Sequence, residues 1–259
     1  MDWGKQNRLS RILDKKSGNT VMLAVDHGYF QGPTTGLKNA GKTIKPLIPY
    51  ADCLFLTRGI LRTQVDAKIK TPIFLRVSGG PSILGELSNE DTTVSMEEAL
   101  RLNASGVGMS IFVGAKNEDR TIANLGRLVN EAQRFGMPVL AITAVGRDMA
   151  RDARYLGLAS RIAAETGADV VKTYYCEDFK KVVDSCPVPI VIAGGKKIDE
   201  KDALKMAHNA ISDGAIGVDM GRNIFQSDKP VGMIKAVRAV VHDKATVDSA
   251  YKIYKESKE

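Results

Sequence analysis

Residues 152–172 read DARYLGLASRIAAETGADVVK, and this stretch contains a complete helix-to-strand unit. The apolar positions between Asp152 and Thr166 recur close to every 3.6 residues, which predicts an amphipathic helix. The pair Gly167-Ala168 predicts the turn that follows, because glycine readily adopts the left-handed conformation that ends helices. The run from Asp169 to Lys172 then predicts a short buried strand.

The same unit recurs along the chain. Short apolar runs predict seven further strands, at Val21–Val25, Asp52–Leu56, Ile73–Val77, Gly108–Val113, Val139–Thr143, Ile190–Ala193 and Ile216–Met220. Helical patterns lie between or after them, at Asn117–Phe135, Glu177–Ser185, Asp199–Ser212 and Pro230–Val241. The pairs Gly106-Val107 and Gly214-Ala215 predict two more left-handed turns that lead from a helix into a strand.

Eight strands that alternate with helices predict a single-domain (β/α)8 TIM barrel over residues 1–259. The strands are apolar throughout, which is typical of parallel strands that are covered on both faces. The alternative, an open doubly wound sheet, favours fewer strands and an early GxGxxG motif, which the sequence lacks. Residues 1–16 precede the first strand, and we expect this short N-terminal segment to cover the bottom of the barrel.

The composition is ordinary for a soluble globular protein, with 44% hydrophobic and 26% charged residues. The formal net charge of +7 is scattered and no apolar run could cross a bilayer, so neither nucleic-acid nor membrane binding is expected. Cys53, Cys176 and Cys186 form no CxxC pair, which favours reduced thiols in the cytoplasm. Met1 to Thr20 is polar and charged, unlike a signal peptide.

Lys172 stands where a catalytic residue is expected, because the active sites of such barrels lie at the carboxyl ends of the strands. Burial or a nearby positive charge makes a lysine amine easier to deprotonate and therefore nucleophilic. Such an amine attacks a ketone and forms a Schiff base. The alternative is a lysine whose stem follows the strand end while its ammonium group reaches solvent.

Asp26 and His27 follow the first strand and are the candidate partners of this lysine. Either could transfer a proton during imine formation, and Asp26 could instead anchor a substrate hydroxyl. The alternative is an ordinary turn at a strand end, assisted by Gly28. His208 and His242 fall within or directly after predicted outer helices, so no metal site is expected.

Glycine-rich segments follow the seventh and eighth predicted strands, at Gly194-Gly195 and at Gly221-Arg222. Loops after these two strands of a barrel often bind phosphate, because glycines let backbone N–H groups approach an anion closely. Arg222 could add a bidentate contact. We therefore expect a phosphate site here, with ordinary turn glycines as the alternative.

Other polar residues follow the sixth, third and fifth strands. Tyr174, close to Lys172 in the sequence, is expected to contact substrate. Ser78 begins a Ser-Gly-Gly sequence, which forms either a polar wall of the substrate site or only a flexible loop. Arg147 and Asp148 either reach a substrate or pair with each other on the rim.

Four motifs occur in the same order as in the archaeal-type class I aldolase family (the DhnA group): Val25–Gly28, Val171–Tyr175, Ile192–Lys196 and Gly221–Gln226. The chain resembles this family over nearly its whole length. The resemblance implies cleavage of a carbon–carbon bond in a small phosphorylated keto substrate, without a bound cofactor, by a homo-oligomer that is often a decamer. It also implies the role of imine-forming or otherwise essential lysine for Lys172 and of acidic partner for Asp26, with phosphate held by Gly195, Gly221 and Arg222.

Within the family, the chain is most similar to a thiolase branch, over Asp26–Gly36, Thr57–Arg62 and Glu86–Glu90. This similarity implies transfer of an acetyl group from 3-hydroxy-5-phosphonooxypentane-2,4-dione to coenzyme A, a possible co-substrate. The fructose-bisphosphate aldolases of the family carry a tyrosine acid/base after the fifth strand, whereas Ala141–Gly146 contains none. The alternatives are a class I fructose-bisphosphate aldolase, a related sugar-phosphate aldolase or transaldolase, and a barrel that binds a sugar phosphate without turnover.

Overall fold

The computed structural model describes residues 2–144 and 150–258. Its barrel strands are β1 (Thr20–Ala24), β2 (Cys53–Thr57), β3 (Ile73–Arg76), β4 (Gly106–Ile111), β5 (Val139–Thr143), β6 (Val170–Tyr174), β7 (Ile190–Ala193) and β8 (Gly217–Met220). Within the described ranges these eight strands form a closed parallel barrel, in which β8 pairs with β1. The predicted barrel is therefore confirmed, and an open doubly wound sheet is excluded.

The helices are α1 (Trp3–Ser10), α2 (Gly28–Gln31), α3 (Ala40–Ile44), α4 (Arg58–Gln64), α5 (Met96–Arg101), α6 (Glu118–Arg134), α7 (Ala153–Glu165), α8 (Phe179–Ser185), α9 (Glu200–Ser212), α10 (Arg222–Phe225), α11 (Pro230–Asp243) and α12 (Val247–Glu256). A short 3-10 helix spans Ile48–Tyr50. The helices predicted from periodicity correspond to α6, α7, α8, α9 and α11, with ends that agree to within two residues. In the part of the chain that the structure describes, no helix is long and apolar enough to span a bilayer.

The observed strands agree with the predicted runs to within two residues. One of the largest differences is in β4, which begins at Gly106 rather than at Gly108. Packing inside the barrel leaves no room for a side chain at these positions: a Cβ on Gly106 would lie 2.1 Å from the Phe74 ring, and one on Gly108 would lie 2.6 Å from the Phe55 ring. Two aromatic rings thus occupy the space that side chains of β4 would otherwise fill.

The predicted left-handed turn at Gly106-Val107 is wrong, because Gly106 belongs to β4. The left-handed residue that follows α5 is instead Asn103, with φ of 54°. The left-handed turns predicted at Gly167-Ala168 and Gly214-Ala215 are confirmed, since the two glycines have φ values of 106° and 107°.

Apolar side chains fill the interior of the barrel, namely Met22, Ala24, Cys53, Phe55, Phe74, Leu140, Val170 and Val191. Side chains alternate across a strand, so residues two positions apart face the same way. Asp26, Arg76 and Lys172 stand two positions beyond Ala24, Phe74 and Val170, respectively. The strands therefore place a charged layer directly above an apolar one, at the carboxyl end of the barrel.

The N-terminal segment contacts the amino ends of the strands. Lys5 of α1 donates a hydrogen bond from Nζ to Oδ1 of Asp169, which precedes β6, at 3.1 Å. Arg8 donates to the carbonyl oxygen of Gly136, which precedes β5, at 3.1 Å. Ile12 is buried in the cluster that fills the barrel interior. These contacts join residues 2–12 to the face of the barrel opposite the charged layer.

Replacement of Gly106 by alanine should destabilise the barrel, because the added methyl group collides with the Phe74 ring. We expect Gly106→Ala to lower the free energy of unfolding by about 1–3 kcal/mol, as overpacking does elsewhere. Gly126→Ala in α6 is the matched control. Its added Cβ meets Thr166 at an ordinary 3.7 Å, so it should gain about 0.5–1 kcal/mol from helix propensity. Urea denaturation of both variants tests this, and equal stabilities would contradict it.

Candidate active site

A cavity of about 400 Å³ opens at the carboxyl ends of the barrel strands. Most of the residues singled out from the sequence line it, namely Asp26, His27, Lys172, Tyr174, Gly194, Gly195, Gly221 and Arg222. Ser78 is placed differently: it is buried, and its hydroxyl donates to Oε2 of Glu90 at 2.7 Å rather than lining the cavity. Arg147 and Asp148 lie outside the described residues.

Lys172 lies at the floor of this cavity, near the end of β6, and is 8% exposed. Its Nζ is 2.7 Å from Oδ2 of Asp219 on β8. It is also 5.3 Å from the centroid of the Phe55 ring, which belongs to the apolar layer below. The lysine therefore does not extend into solvent, and its amine faces the cavity between a carboxylate and an aromatic surface.

Asp219 is a carboxylate whose surroundings favour proton uptake. Burial raises its pKa to about 6, although the ammonium group of Lys172 opposes the shift. Its Oδ1 has no hydrogen-bond partner in the described part of the chain. A carboxylate of this kind is ionised at neutral pH but can accept a proton from Lys172 at a smaller free-energy cost than an exposed aspartate.

Arg76 of β3 connects several buried polar groups at another part of the cavity floor, away from Lys172 and Asp219. Its guanidinium donates to Oδ2 of Asp26 at 3.2 Å, to both carboxylate oxygens of Glu90 at 2.9 Å, and to Oγ of Ser110 at 2.7 Å. Tyr29 also accepts a hydrogen bond from Arg76 and donates one to Glu90. Burying carboxylates is costly unless they are paired, and this one guanidinium pairs with two of them.

Asp26 is charged and His27 is uncharged at neutral pH. Burial raises the pKa of Asp26, but the charge of His27 when it is protonated and those of Arg76 and Lys172 lower it by a larger amount, so the net pKa lies below its ordinary value. Burial lowers the pKa of His27 to about 4. Asp26 is thus an anion and His27 a neutral imidazole, whose Nδ1 is 3.9 Å from Oδ1 of Asp26.

The loops after β7 and β8 are fastened together at one end of the cavity. Asn223 of α10 donates from Nδ2 to the carbonyl oxygen of Gly194 at 2.6 Å and accepts at Oδ1 from the backbone of Ile198 at 2.9 Å. Gly221 has no room for a side chain, because a Cβ would lie 2.1 Å from the carbonyl oxygen of Ala24. The two glycine-rich segments predicted from the sequence therefore form one rigid wall.

Cationic side chains surround this wall. Arg151, Lys196 and Arg222 all line the cavity, and the guanidinium of Arg151 lies 4.0 Å from the centroid of the Tyr174 ring. Burial lowers the pKa of Arg222, and the positive charge of Arg151 acts in the same direction. Arg222 Nε is buried without a hydrogen-bond partner in the described ranges. The end of the cavity formed by these three cations, the cationic pole, is therefore suited to an anion.

Several residues of the site were not predicted from the sequence. Asp219 and Arg76 are charged residues inside apolar strand runs, and such a position in the sequence could have indicated that they belong to the site. Glu90 and Arg151 lie in loops, where nothing in the local sequence indicates which side chains turn toward the barrel mouth.

The barrel, its buried lysine–carboxylate pair and its cationic pole define the class of protein: an aldolase-type enzyme with a lysine at the strand ends. The model of the DeoC/LacD family of aldolases matches residues 20–227. The chain belongs to this family.

Curated relatives and solved structures agree with this assignment. A 3-hydroxy-5-phosphonooxypentane-2,4-dione thiolase from Escherichia coli O139:H28 is 56% identical over 260 residues, which cover 100% of this chain and 89% of the relative. The enzyme of that name from Photorhabdus laumondii is 55% identical with the same coverage. The crystal structure of an archaeal fructose 1,6-bisphosphate aldolase has a TM-score of 0.81 and 27% identity, and covers 92% of this chain and 99% of its own. The resemblance to class I aldolases is therefore confirmed.

Removal of the Arg76 guanidinium should leave the buried carboxylates of Asp26 and Glu90 without the cation that pairs with both of them. We expect Arg76→Met to lower the free energy of unfolding by about 3–5 kcal/mol. The matched control is Arg161→Met, which removes an exposed pair with Glu165 in α7 and should cost less than about 1 kcal/mol. Chemical denaturation at neutral pH measures both values. Similar losses for the two variants would show that Arg76 does not hold the site together.

Proposed function

We propose that this protein is a thiolase that transfers an acetyl group from 3-hydroxy-5-phosphonooxypentane-2,4-dione to coenzyme A and releases glycerone phosphate. The observation that carries the proposal is the position of Lys172 in a cavity with one cationic pole. The thiolase name of relatives that are 56% identical over the whole chain supports it.

The substrate has a phosphate at one end and an acetyl group at the other. Its five carbons carry carbonyls at C2 and C4, a hydroxyl at C3 and the phosphate on C5. When the phosphate is at the cationic pole of Arg151, Lys196 and Arg222, the C4 carbonyl is the ketone nearest to it. Lys172 attacks C4, loss of water gives a protonated imine, and this iminium group can accept an electron pair.

Acyl transfer then follows with balanced bonds and electrons. The thiolate of coenzyme A attacks C2, the C2–C3 bond breaks, and its electron pair moves into the iminium group to form an enamine. C3 then takes up a proton, equivalent to the one lost by the thiol, and water hydrolyses the imine. The products are acetyl-coenzyme A and glycerone phosphate, and Lys172 is regenerated.

The surrounding residues supply the proton transfers and the charge. Asp219, 2.7 Å from Lys172 Nζ, accepts the proton that the amine must lose before it attacks. Asp26 stays anionic and stabilises the iminium. His27 is neutral, and its ring lies against Gly221, so it can accept a proton on the side of the cationic pole.

Fructose-bisphosphate aldolase is the second candidate, favoured by the solved structures with similar folds. It uses the same enamine of glycerone phosphate, but its substrate has a phosphate at each end. Among the described lining residues, the cations other than Lys172 and Arg76 are the three of the cationic pole. The lining residues from the end of β5 are Ile142, Thr143 and Ala144, which provide no phenol. Both features favour the thiolase.

The proposal is tested by incubating the protein with the dione and coenzyme A and measuring acetyl-coenzyme A by mass spectrometry. We expect the product from the wild type, and a loss of at least about 10³-fold for Lys172→Ala, because the nucleophile is absent. Lys180→Ala, at an exposed site on α8, is the control and should retain full activity.

The other outcomes separate the alternatives. Equal amounts of product from Lys172→Ala and the wild type would support the thiolase reaction but exclude Lys172 as its nucleophile. No product from the wild type, together with cleavage of fructose 1,6-bisphosphate, would make the protein an aldolase. Ligand binding without either reaction would make it a sensor. Homo-oligomeric assembly and a cytoplasmic location stay predictions.

The rate of imine formation should depend on the ionisation of Asp219. Its pKa of about 6 means that the carboxylate is present above pH 6 and is protonated below it, when it can no longer accept the proton of Lys172. We expect the rate of borohydride trapping to fall about tenfold for each pH unit below 6. Asp219→Asn has no carboxylate that can accept the proton of Lys172, so its trapping should be slower and should show no break near pH 6. If the break persists in Asp219→Asn, titration of the substrate phosphate causes it instead.

A further inference from the structure

The side of the cavity that faces the cationic pole carries an apolar surface in addition to the buried Arg76 and Ser110. Phe30, Ile83, Leu87 and Phe112, here called the apolar wall, line it. Ile83 and Leu87 follow β3, and Phe112 follows β4, whereas the cationic pole includes residues that follow β7 and β8. In the closed order of the barrel, β3 stands across from β7 and β4 across from β8. The cavity is therefore cationic at one end and apolar at the other.

The apolar wall is built from three segments: α2, the segment after β3, and the residue that follows β4. The backbone N–H of Ile83 donates to the carbonyl oxygen of Phe30 at 3.0 Å, which joins the segment after β3 to α2. Ile83 is 48% exposed and its neighbour Leu84 is 94% exposed. The apolar surface thus continues from inside the cavity, past Ile83, to the outside of the protein.

The proposed reaction requires a thiol on this side. With the phosphate at the cationic pole and C4 bonded to Lys172, the acetyl carbon C2 lies beyond Lys172, toward the apolar wall. The sulfur must reach C2, so the chain that carries it has to enter from the same side. That chain, the pantetheine arm, is uncharged and includes a dimethyl-substituted carbon, which favours contact with apolar side chains.

We propose that the pantetheine arm of coenzyme A lies along the apolar wall and passes Ile83 to bring its thiol to C2. This inference rests on the proposed function. Ile83 contacts the dimethyl-substituted part of the arm at the rim, and Phe30, Leu87 and Phe112 enclose the sulfur end and the acetyl methyl group.

Two other cavities are less suited to the arm. One of about 550 Å³ lies beside Arg151 and is lined by side chains of both signs, including Asp152, Glu177 and Lys181. It is on the side of the cationic pole, away from C2. Another of about 300 Å³ lies behind Asp26 and Tyr29, and its lining does not include Lys172. A thiol held there would face Asp26 rather than the acetyl carbon.

Ile83→Asp tests the proposal, with Ile253→Asp as the matched control. Ile253 is a partly exposed isoleucine of α12, 38% exposed, on the outer helical layer. We expect Ile83→Asp to raise the KM for coenzyme A at least about tenfold, because a carboxylate replaces an apolar contact. Borohydride trapping of the Lys172 imine with glycerone phosphate should be unchanged, which shows that the site is folded. Ile253→Asp should behave as wild type in both assays.

Shortened thiols locate the contact within the acceptor. Pantetheine keeps the dimethyl-substituted carbon, whereas N-acetylcysteamine retains only the sulfur end. We expect Ile83→Asp to raise the KM for coenzyme A and pantetheine by the same factor, and the KM for N-acetylcysteamine less than about threefold.

Three results would overturn the inference. An unchanged KM for coenzyme A in Ile83→Asp would place the arm elsewhere. A KM that is raised for coenzyme A but not for pantetheine would place the nucleotide rather than the arm at Ile83. Wild-type protein that traps glycerone phosphate but makes no acetyl-coenzyme A would instead overturn the proposed function, and the inference with it.

Discussion

The site depends on the burial of Lys172 beside Asp219. Removing an ammonium group and a carboxylate from water costs several kcal/mol for each, and close pairing at 2.7 Å offsets that cost. The barrel makes this possible because strands β6 and β8 present their side chains to one interior, one layer above apolar residues such as Val170 and Phe55. The pair is accordingly confined to the mouth of the barrel, where one side still opens to substrate.

The charge distribution around this pair divides the cavity into two ends. Glycines and cations after β7 and β8 suit a phosphate, and aromatic and aliphatic side chains after β3 and β4 suit an uncharged group. The enamine of glycerone phosphate is common to aldol and thiolase cleavage, so Lys172 and the cationic pole serve either reaction. The two reactions differ in the fragment that is cleaved from this enamine, and that difference is decided at the other end of the cavity. The fold does not indicate which fragment is accepted there, whereas the individual side chains do.

Much of the fold could be predicted from the sequence because strand and helix periods are local properties. The predicted turn at Gly106 is wrong because this glycine makes room for the Phe74 ring, which is distant in the sequence, and does not supply a left-handed turn. Lys172 and His27 could be found because barrel chemistry is located at strand ends. Asp219 could also have been identified from the sequence, because it is a charged residue in an apolar run. Glu90 was not, because only the folded loop brings it to Arg76.

The two aspartates of the floor show why three dimensions were needed to assign their roles. Asp26 comes directly after a strand and looks from the sequence like the partner of the lysine, but Arg76 binds it and its pKa is lowered. Asp219 has no such guanidinium, and burial raises its pKa to about 6. Environments that push the pKa values of two carboxyl groups apart separate their functions. Asp219 is therefore suited to exchange a proton with Lys172, and Asp26 to remain a fixed negative charge.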